Sequence, residues 1–223
     1  MRSARMSTRG AARLPTNVHT TVSGSLKRDA AEQFIKHCFR QCYAAEVKRF
    51  MPLLMGLSSV EGVLEAVLGL RPAGEERLFL ETYLDRPVEQ ALASSIQAPV
   101  ERSLLMEVGH LAVSTPGGGR WLITALTAYL SASRYEWVVF TIGPGLQNAF
   151  KRLGISLVDL GEADPSKLAE SQRREWGSYY EQRPRVMAGS IAEGHLALWQ
   201  LCKREAALMN MWSAAVAAGR ASA

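Results

Sequence analysis

At 223 residues the chain can bury a full core as one domain, and its apolar and charged fractions are ordinary for a globular protein. The net charge of +5 invites a nucleic-acid reading. However, Arg2, Arg5, Arg9, Arg13, Lys27 and Arg28 carry it in a start without a single acid, and the rest of the chain sits near −1, so no nucleic-acid partner is expected. Cys38, Cys42 and Cys202 show no framework spacing, which argues against a disulfide scaffold and for a reducing compartment.

Residues 1–28 read as a disordered basic tail, with no apolar stretch of secretory type. The recurrence of Phe34, Ile35, Cys38, Phe39, Cys42 and Tyr43 predicts a helix over Ala30–Leu57, kinked or ended at Pro52. Cys38 and Cys42 share a helix face beside His37. A metal site would need a second cluster of ligands, so no metal is expected. Val60–Ala73 and Glu76–Leu84 read as an antiparallel strand pair, the second either strand throughout or helical at its end, and Pro87 opens a helix over Val88–Ile96.

The centre is the most informative part. "VERSLLMEVGHLAV" (Val100–Val113) reads as a long buried strand, followed by the loop "STPGGGRW" and a helix over Trp121–Ser133. "WVVFTI" (Trp137–Ile142) is a second buried strand. Gly143-Pro144-Gly145 breaks the chain, "LQNAFKRLG" is a short helix closed by Gly154, and Ile155–Gly161 is the next strand. This order predicts a sheet with helices packed on it, in which strands 104–113 and 137–142 are parallel neighbours joined by a right-handed crossover. A polar helix to Trp176, a strand over Arg185–Ile191 and a helix over Glu193–Ala217 complete the chain. No run approaches the roughly 20 apolar residues of a membrane span.

The glycine loop lacks the Gly-Lys-Ser/Thr of a P-loop and the spacing of the dinucleotide fingerprint. Consecutive glycines can curl so that several N–H groups face one anion, and the next helix adds its positive end and Arg120 a charge-assisted bond. The alternative is a flexible turn. Glu107 lies inside an apolar strand, a costly position unless the carboxylate is paired or used. It is either a general base or the structural partner of an arginine such as Arg102. His110 is the second base candidate, or a satisfied core residue. The odd spacing of Glu107 and His110 puts them on opposite faces of a regular strand, and a bulge near Gly109 would bring both to one cleft. No G-x-S-x-G hydrolase motif occurs.

A strand, an anion-friendly loop, a helix and a parallel strand followed by Asn148 on a short helix resemble the core of the GNAT acyltransferase superfamily. Over residues 60–195, "FLETYLDRPVE", "MEVGHLA", "VVFTIGPGLQNAFKRLGI", "LGEADPSKLA" and "WGSYYEQRPRVMAG" resemble the thermostable hemolysin family. That family often has Asn where this chain has His110, and a Thr-Gly or Thr-Ala-Thr run where this chain has Thr141-Ile142-Gly143.

The resemblance implies an α+β, GNAT-like mixed sheet with helices on both faces and splayed parallel strands at its centre. It implies a domain over 29–195, followed by a helix over 196–223 packing on that domain or on a partner. It implies an N-acyltransferase moving a fatty acyl group from acyl-CoA or acyl carrier protein to the amine of a small acceptor such as an amino acid. Acyl-homoserine-lactone synthesis is a narrower variant. Glu107 and His110 are then catalytic, and Ser114, Gly117, Gly118, Gly119, Arg120, Trp121 and Asn148 hold the phosphopantetheine-bearing cofactor. Glu81, Asp85, Arg102 and Thr141 bind the acceptor, while Trp176, Tyr179 and Tyr180 serve as core or lid packing rather than direct chemistry. The expected setting is cytoplasmic or membrane-peripheral, with a homodimer as one assembly. The competing reading is direct membrane lysis through Leu196, Trp199, Leu208, Met211 and Trp212 of an amphipathic C-terminal helix.

Overall fold

In a computed structural model of the chain, residues 15–22, 24–115 and 117–222 are described. Strands β1 (Asn17–Thr21), β2 (Leu53–Ser58), β3 (Leu64–Pro72), β4 (Leu105–Val113), β5 (Trp137–Ile142), β6 (Val158–Glu162) and β7 (Arg185–Ser190) form one sheet in the order β1-β2-β3-β4-β5-β7-β6. Every neighbouring pair is antiparallel except β4–β5. The expected parallel pair is therefore present, with the glycine loop and α3 (Gly118–Ser131) as its crossover.

Side-chain alternation assigns the two faces. On one face Leu68 and Leu70 of β3, Met106 and Val108 of β4, and Phe140 of β5 pack against α3, α4 (Pro144–Arg152), α6 (Ile191–Cys202) and α7 (Ala206–Ala221). On the other, Leu105, Val139, Val186 and Ala188 meet Leu78, Leu80 and Tyr83 and the helix α2 (Val88–Ile96). Next to them Val67 and Ala112 meet α1 (Leu26–Tyr43). The short helix α5 (Glu170–Glu175) lies in the segment between β6 and β7.

Several expected elements differ. The helix expected over Ala30–Leu57 stops at Tyr43, where Ala44 adopts φ 53° and its N–H returns to Arg40 and Phe39. Residues 44–52 form neither helix nor strand, burying Ala45 and Val47 while Glu46 and Lys48 face out, and β2 follows. Apolar residues recur there because the segment lines a cavity, and that imitates a continuing helical stripe. Glu76–Leu84 is a 3-10 turn over Phe79–Thr82 and not a strand, because two carboxylates claim its amides. Glu81 accepts from Leu78 N–H (2.9 Å), and Glu107 accepts from Phe79 and Leu80 N–H. The C-terminal helix is two helices, broken at Lys203–Glu205.

The stretch expected as a tail includes β1 and the first turn of α1. Ser25 caps that helix, and the buried Arg28 donates to Met51 O and Pro52 O at 2.8 and 2.7 Å. Arg2, Arg5, Arg9 and Arg13 lie outside the described residues. Helix α7 packs on α3 and β1 within the chain, burying Leu208, Met211 and Trp212. Contact with α3 is close enough that a Cβ on Gly219 would lie 2.2 Å from Tyr129 O.

Candidate active site

The β4–β5 ladder runs only from Leu105–Trp137 to Val108–Phe140, although both strands continue. Just beyond the last pair, β4 bulges. Val67 of β3 opposes Ala112 while Gly69 opposes Gly109, so β4 carries one extra residue over this span. His110 takes up the bulge with φ 52°, a left-handed conformation that costs about 1–2 kcal/mol for a non-glycine residue. The bulge switches the parity of the strand. Glu107 before it and Ala112 after it face the same side, and Glu107 and His110 line one cavity of about 370 Å³. The expectation that a bulge near Gly109 unites them is met.

Glu107 is 2% exposed and is held from two sides. Leu80 N–H donates to Oε1 at 2.9 Å and Phe79 N–H to Oε2 at 3.2 Å. The Arg71 guanidinium, on the residue directly opposite in β3, stands 3.7 Å from Oε2. Burial pushes the Glu107 carboxyl above the usual carboxylate range, against the two amides and Arg71, which favour the charged form. The expected partner, Arg102, is elsewhere. It binds Glu81 and Glu89 and the carbonyls of Ala73 and Glu76.

His110 sits among aromatic rings. Trp176 stacks at 6.5 Å between centroids, Phe50 lies at 5.6 Å and Phe39 at 6.3 Å. Burial lowers its pKa to about 4, so the ring is neutral at pH 7; the nearby backbone of Arg49 opposes the shift, and Arg71 and Arg28 add to it. Its Nδ1 has no hydrogen-bond partner and faces Gly69, where a Cβ would come within 3.0 Å.

Two segments close over the cavity, residues 43–51 and 175–182. Ser178 N–H donates to Tyr43 O (2.9 Å) and Glu46 N–H to Glu175 O (2.7 Å), while Lys48 and Arg49 pair with the Glu175 carboxylate. Gly177, at φ 53°, permits the contact, since a Cβ there would stand 2.1 Å from Tyr43 O. The expected lid residues Trp176, Tyr179 and Tyr180 do line the cavity. Tyr179 OH donates to Thr141 O at 3.0 Å, and the Tyr83 and Tyr180 hydroxyls bond each other. Burial raises the pKa of Tyr180 to about 12, so all these phenols are protonated at neutral pH.

Of the expected acceptor residues, only Thr141 lines this cavity. Glu81 is buried, its carboxyl pKa held below the usual range despite burial by Arg102 and by the amides of Val88 and Leu78. Asp85 is exposed and paired with Lys167. Glu81, Asp85 and Arg102 border a separate cavity of about 580 Å³. There Arg102 neutralises Glu81 and Glu89, and Lys167 neutralises Asp85.

The expected cofactor residues lie at the start of α3. Gly117, with φ 88°, precedes the first turn. The amides of Gly118 and Arg120 already bond Thr115 O and Gly117 O, and the Arg120 guanidinium grips Glu205 at 2.7 and 2.8 Å. Ser114 bonds Glu65, and Asn148 is exposed on α4. Arg71 and the ring wall of Phe50 and Phe79 were not anticipated. The available signal was a lone cation at the end of "VLGLR", at inward parity with Val67.

Among the described residues there is no group of three or more His, Cys, Asp or Glu side chains that could hold a metal ion, and no helix is long and apolar enough to cross a membrane.

A search of curated protein sequences found no match. Several solved structures share the fold. FeeM, an N-acyl amino acid synthase from uncultured soil microbes, is 18% identical with a TM-score of 0.54, over 83% of this chain and 97% of that one. The AHL synthase LasI is 12% identical with a TM-score of 0.54, over 83% and 96%. BjaI, a CoA-dependent acyl-homoserine lactone synthase solved with SAM and isopentyl-CoA, is 14% identical with a TM-score of 0.55, over 92% and 99%. The fold is thus the expected α+β, GNAT-like mixed sheet with one parallel pair at its centre. The profile of the thermostable hemolysin family matches residues 22–195, more than half of the chain, and the chain belongs to that family.

Proposed function

We propose that the chain is an N-acyltransferase that moves a fatty acyl group from a CoA or acyl-carrier-protein thioester to the amine of a small acceptor. The observation that carries this reading is the end of the β4–β5 ladder at Val108–Phe140, opening over a cavity that holds a buried carboxylate, Glu107. Names of proteins with this fold agree in chemistry: an N-acyl amino acid synthase and two acyl-homoserine lactone synthases.

The acceptor enters as an ammonium. Glu107, with its affinity for protons raised by burial, takes one proton and frees the nitrogen lone pair. The amine attacks the thioester carbonyl. The backbone amides of the His110 bulge, where the β3–β4 register shifts, would stabilise the oxygen as charge develops. The C–N bond forms, the C–S bond breaks, and the second ammonium proton goes to the departing thiolate. His110, neutral at pH 7, adds no charge to the cavity.

The phosphate-bearing arm is assigned to the loop Ser114–Trp121 and to Asn148. A Cβ on Gly119 would lie 3.7 Å from Leu146, which lines the cavity, so the loop adjoins its rim. Two polar atoms near this helix start, Thr115 Oγ1 and Arg120 Nε, are buried without partners. An anion there would gain the helix end and displace Arg120 from Glu205.

The test is a product analysis. Purified protein, an isotopically labelled long-chain acyl-CoA or acyl carrier protein, and a pool of amino acids and amines should yield labelled amide by mass spectrometry. Label found only in intact thioester or free fatty acid would overturn the proposal. Direct lysis has less support, because Leu208, Met211 and Trp212 are buried in the core and only Leu196 of that set is exposed.

A further inference from the structure

The cavity contains one charge pair that the reaction above uses only in half. Arg71 and Glu107 face each other across β3 and β4, and both line the cavity. Their closest approach, 3.7 Å, is an ion-pair distance beyond hydrogen-bond reach. Glu107 draws its hydrogen bonds from Phe79 and Leu80 instead. Arg71 is likewise unfulfilled. Its Nε lies 3.0 Å from Glu76 Oε1 but is buried with no aligned acceptor. The other cations on the cavity wall differ. Lys48 and Arg49 are 58% and 68% exposed and face Glu46 and Glu175, whereas the Arg71 side chain is 19% exposed.

We propose that Arg71 binds the carboxylate of the acceptor, so that the substrate is an α-amino acid and not a simple amine. The inference rests on the acyl-transfer reading and deepens it. An α-amino acid carries an ammonium and a carboxylate one carbon apart. Laid across the pair, its ammonium meets Glu107 and its carboxylate meets the guanidinium, whose planar fork suits a carboxylate. Both insertions are charge-complementary. A simple alkylammonium would leave the guanidinium without that carboxylate partner in a poorly solvated cavity. Specificity is then set by the residue next to the base. The aromatic wall of Phe79, Tyr83 and Trp176 is left for the amino-acid side chain or the acyl chain.

The experiment compares matched acceptors. Thiol release from a long-chain acyl-CoA is measured with L-phenylalanine against 2-phenylethylamine, and with L-leucine against isopentylamine. The wild-type protein should prefer the amino acid of each pair by about 10- to 100-fold in kcat/KM, the range of one charge-assisted hydrogen bond to a buried group. In Arg71→Gln that ratio should collapse towards one. Because only the ratio is read, a general loss of activity through disturbance of Glu107 does not imitate the result. In Arg71→Lys, which keeps the charge but not the fork, the ratio should fall between the two. The wild-type comparison decides the question even if Arg71→Gln does not fold. Amines accepted as readily as amino acids, or both lowered by one factor in Arg71→Gln, would overturn this inference alone. No thiol release with any acceptor would overturn the acyl-transfer reading and this inference with it.

Discussion

His110 combines three features that one residue rarely carries: a left-handed backbone, an unpartnered ring nitrogen and a pKa lowered to about 4. The backbone explains which residues suit the position. Asparagine and histidine are among the few non-glycine residues that tolerate positive φ, so an asparagine would fit the same bulge. The pKa has a consequence for stability. Between about pH 4 and 6.5 the unfolded chain binds a proton at His110 that the folded chain refuses, so stability rises with pH across that window. His19, also lowered by burial, acts in the same sense, while Glu107, raised by burial, acts in the opposite one. Urea unfolding of His110→Asn at pH 4.5 and pH 7 should show a flatter pH dependence than wild type, by up to about 3 kcal/mol. An unchanged slope would show that the imidazole is not held neutral by the fold.

At the scale of elements, the lid depends on one glycine. Gly177 brings residues 176–178 against the Tyr43–Ala44 backbone, with no room for a methyl group and a φ that favours glycine. Gly177→Ala should cost about 2 kcal/mol or more, lowering Tm by roughly 4–8 °C in a chain of this size. A Tm within a degree of wild type would mean the segment is not pinned there. The same segments mark where sequence reading stopped. β4, β5, α2 and the crossover through α3 were legible because their periodicities are strong and glycine or proline bounds them. The 44–52 segment was not, since burial against a cavity mimics a helical stripe. Nor was the Phe79–Thr82 turn, whose shape is set by carboxylates from Glu81 and from Glu107, 26 residues later in the chain than Glu81. Local pattern carries no record of such partners. Glu107 and His110 could be named from the cost of placing them in an apolar strand, whereas Arg71 becomes meaningful only once β3 is laid beside β4.

For the whole molecule, one sheet separates two tasks. The face carrying α3, α4, α6 and α7 supplies most of the core, with Leu208, Met211 and Trp212 of α7 buried in it. The opposite face, under α1 and the lid, holds the cavity, and the glycine loop crosses between them where the parallel strands part.

The central claim is that Glu107 drives amine attack on a thioester in this cavity. Its most direct test is free-thiol release from a long-chain acyl thioester, with and without an amino-acid acceptor, by wild type and Glu107→Gln. Release should require the acceptor, fall as pH drops through the raised Glu107 pKa, and be lower by about 10²–10⁴-fold in Glu107→Gln. Release that is independent of acceptor, or equal in Glu107→Gln and wild type, would contradict it.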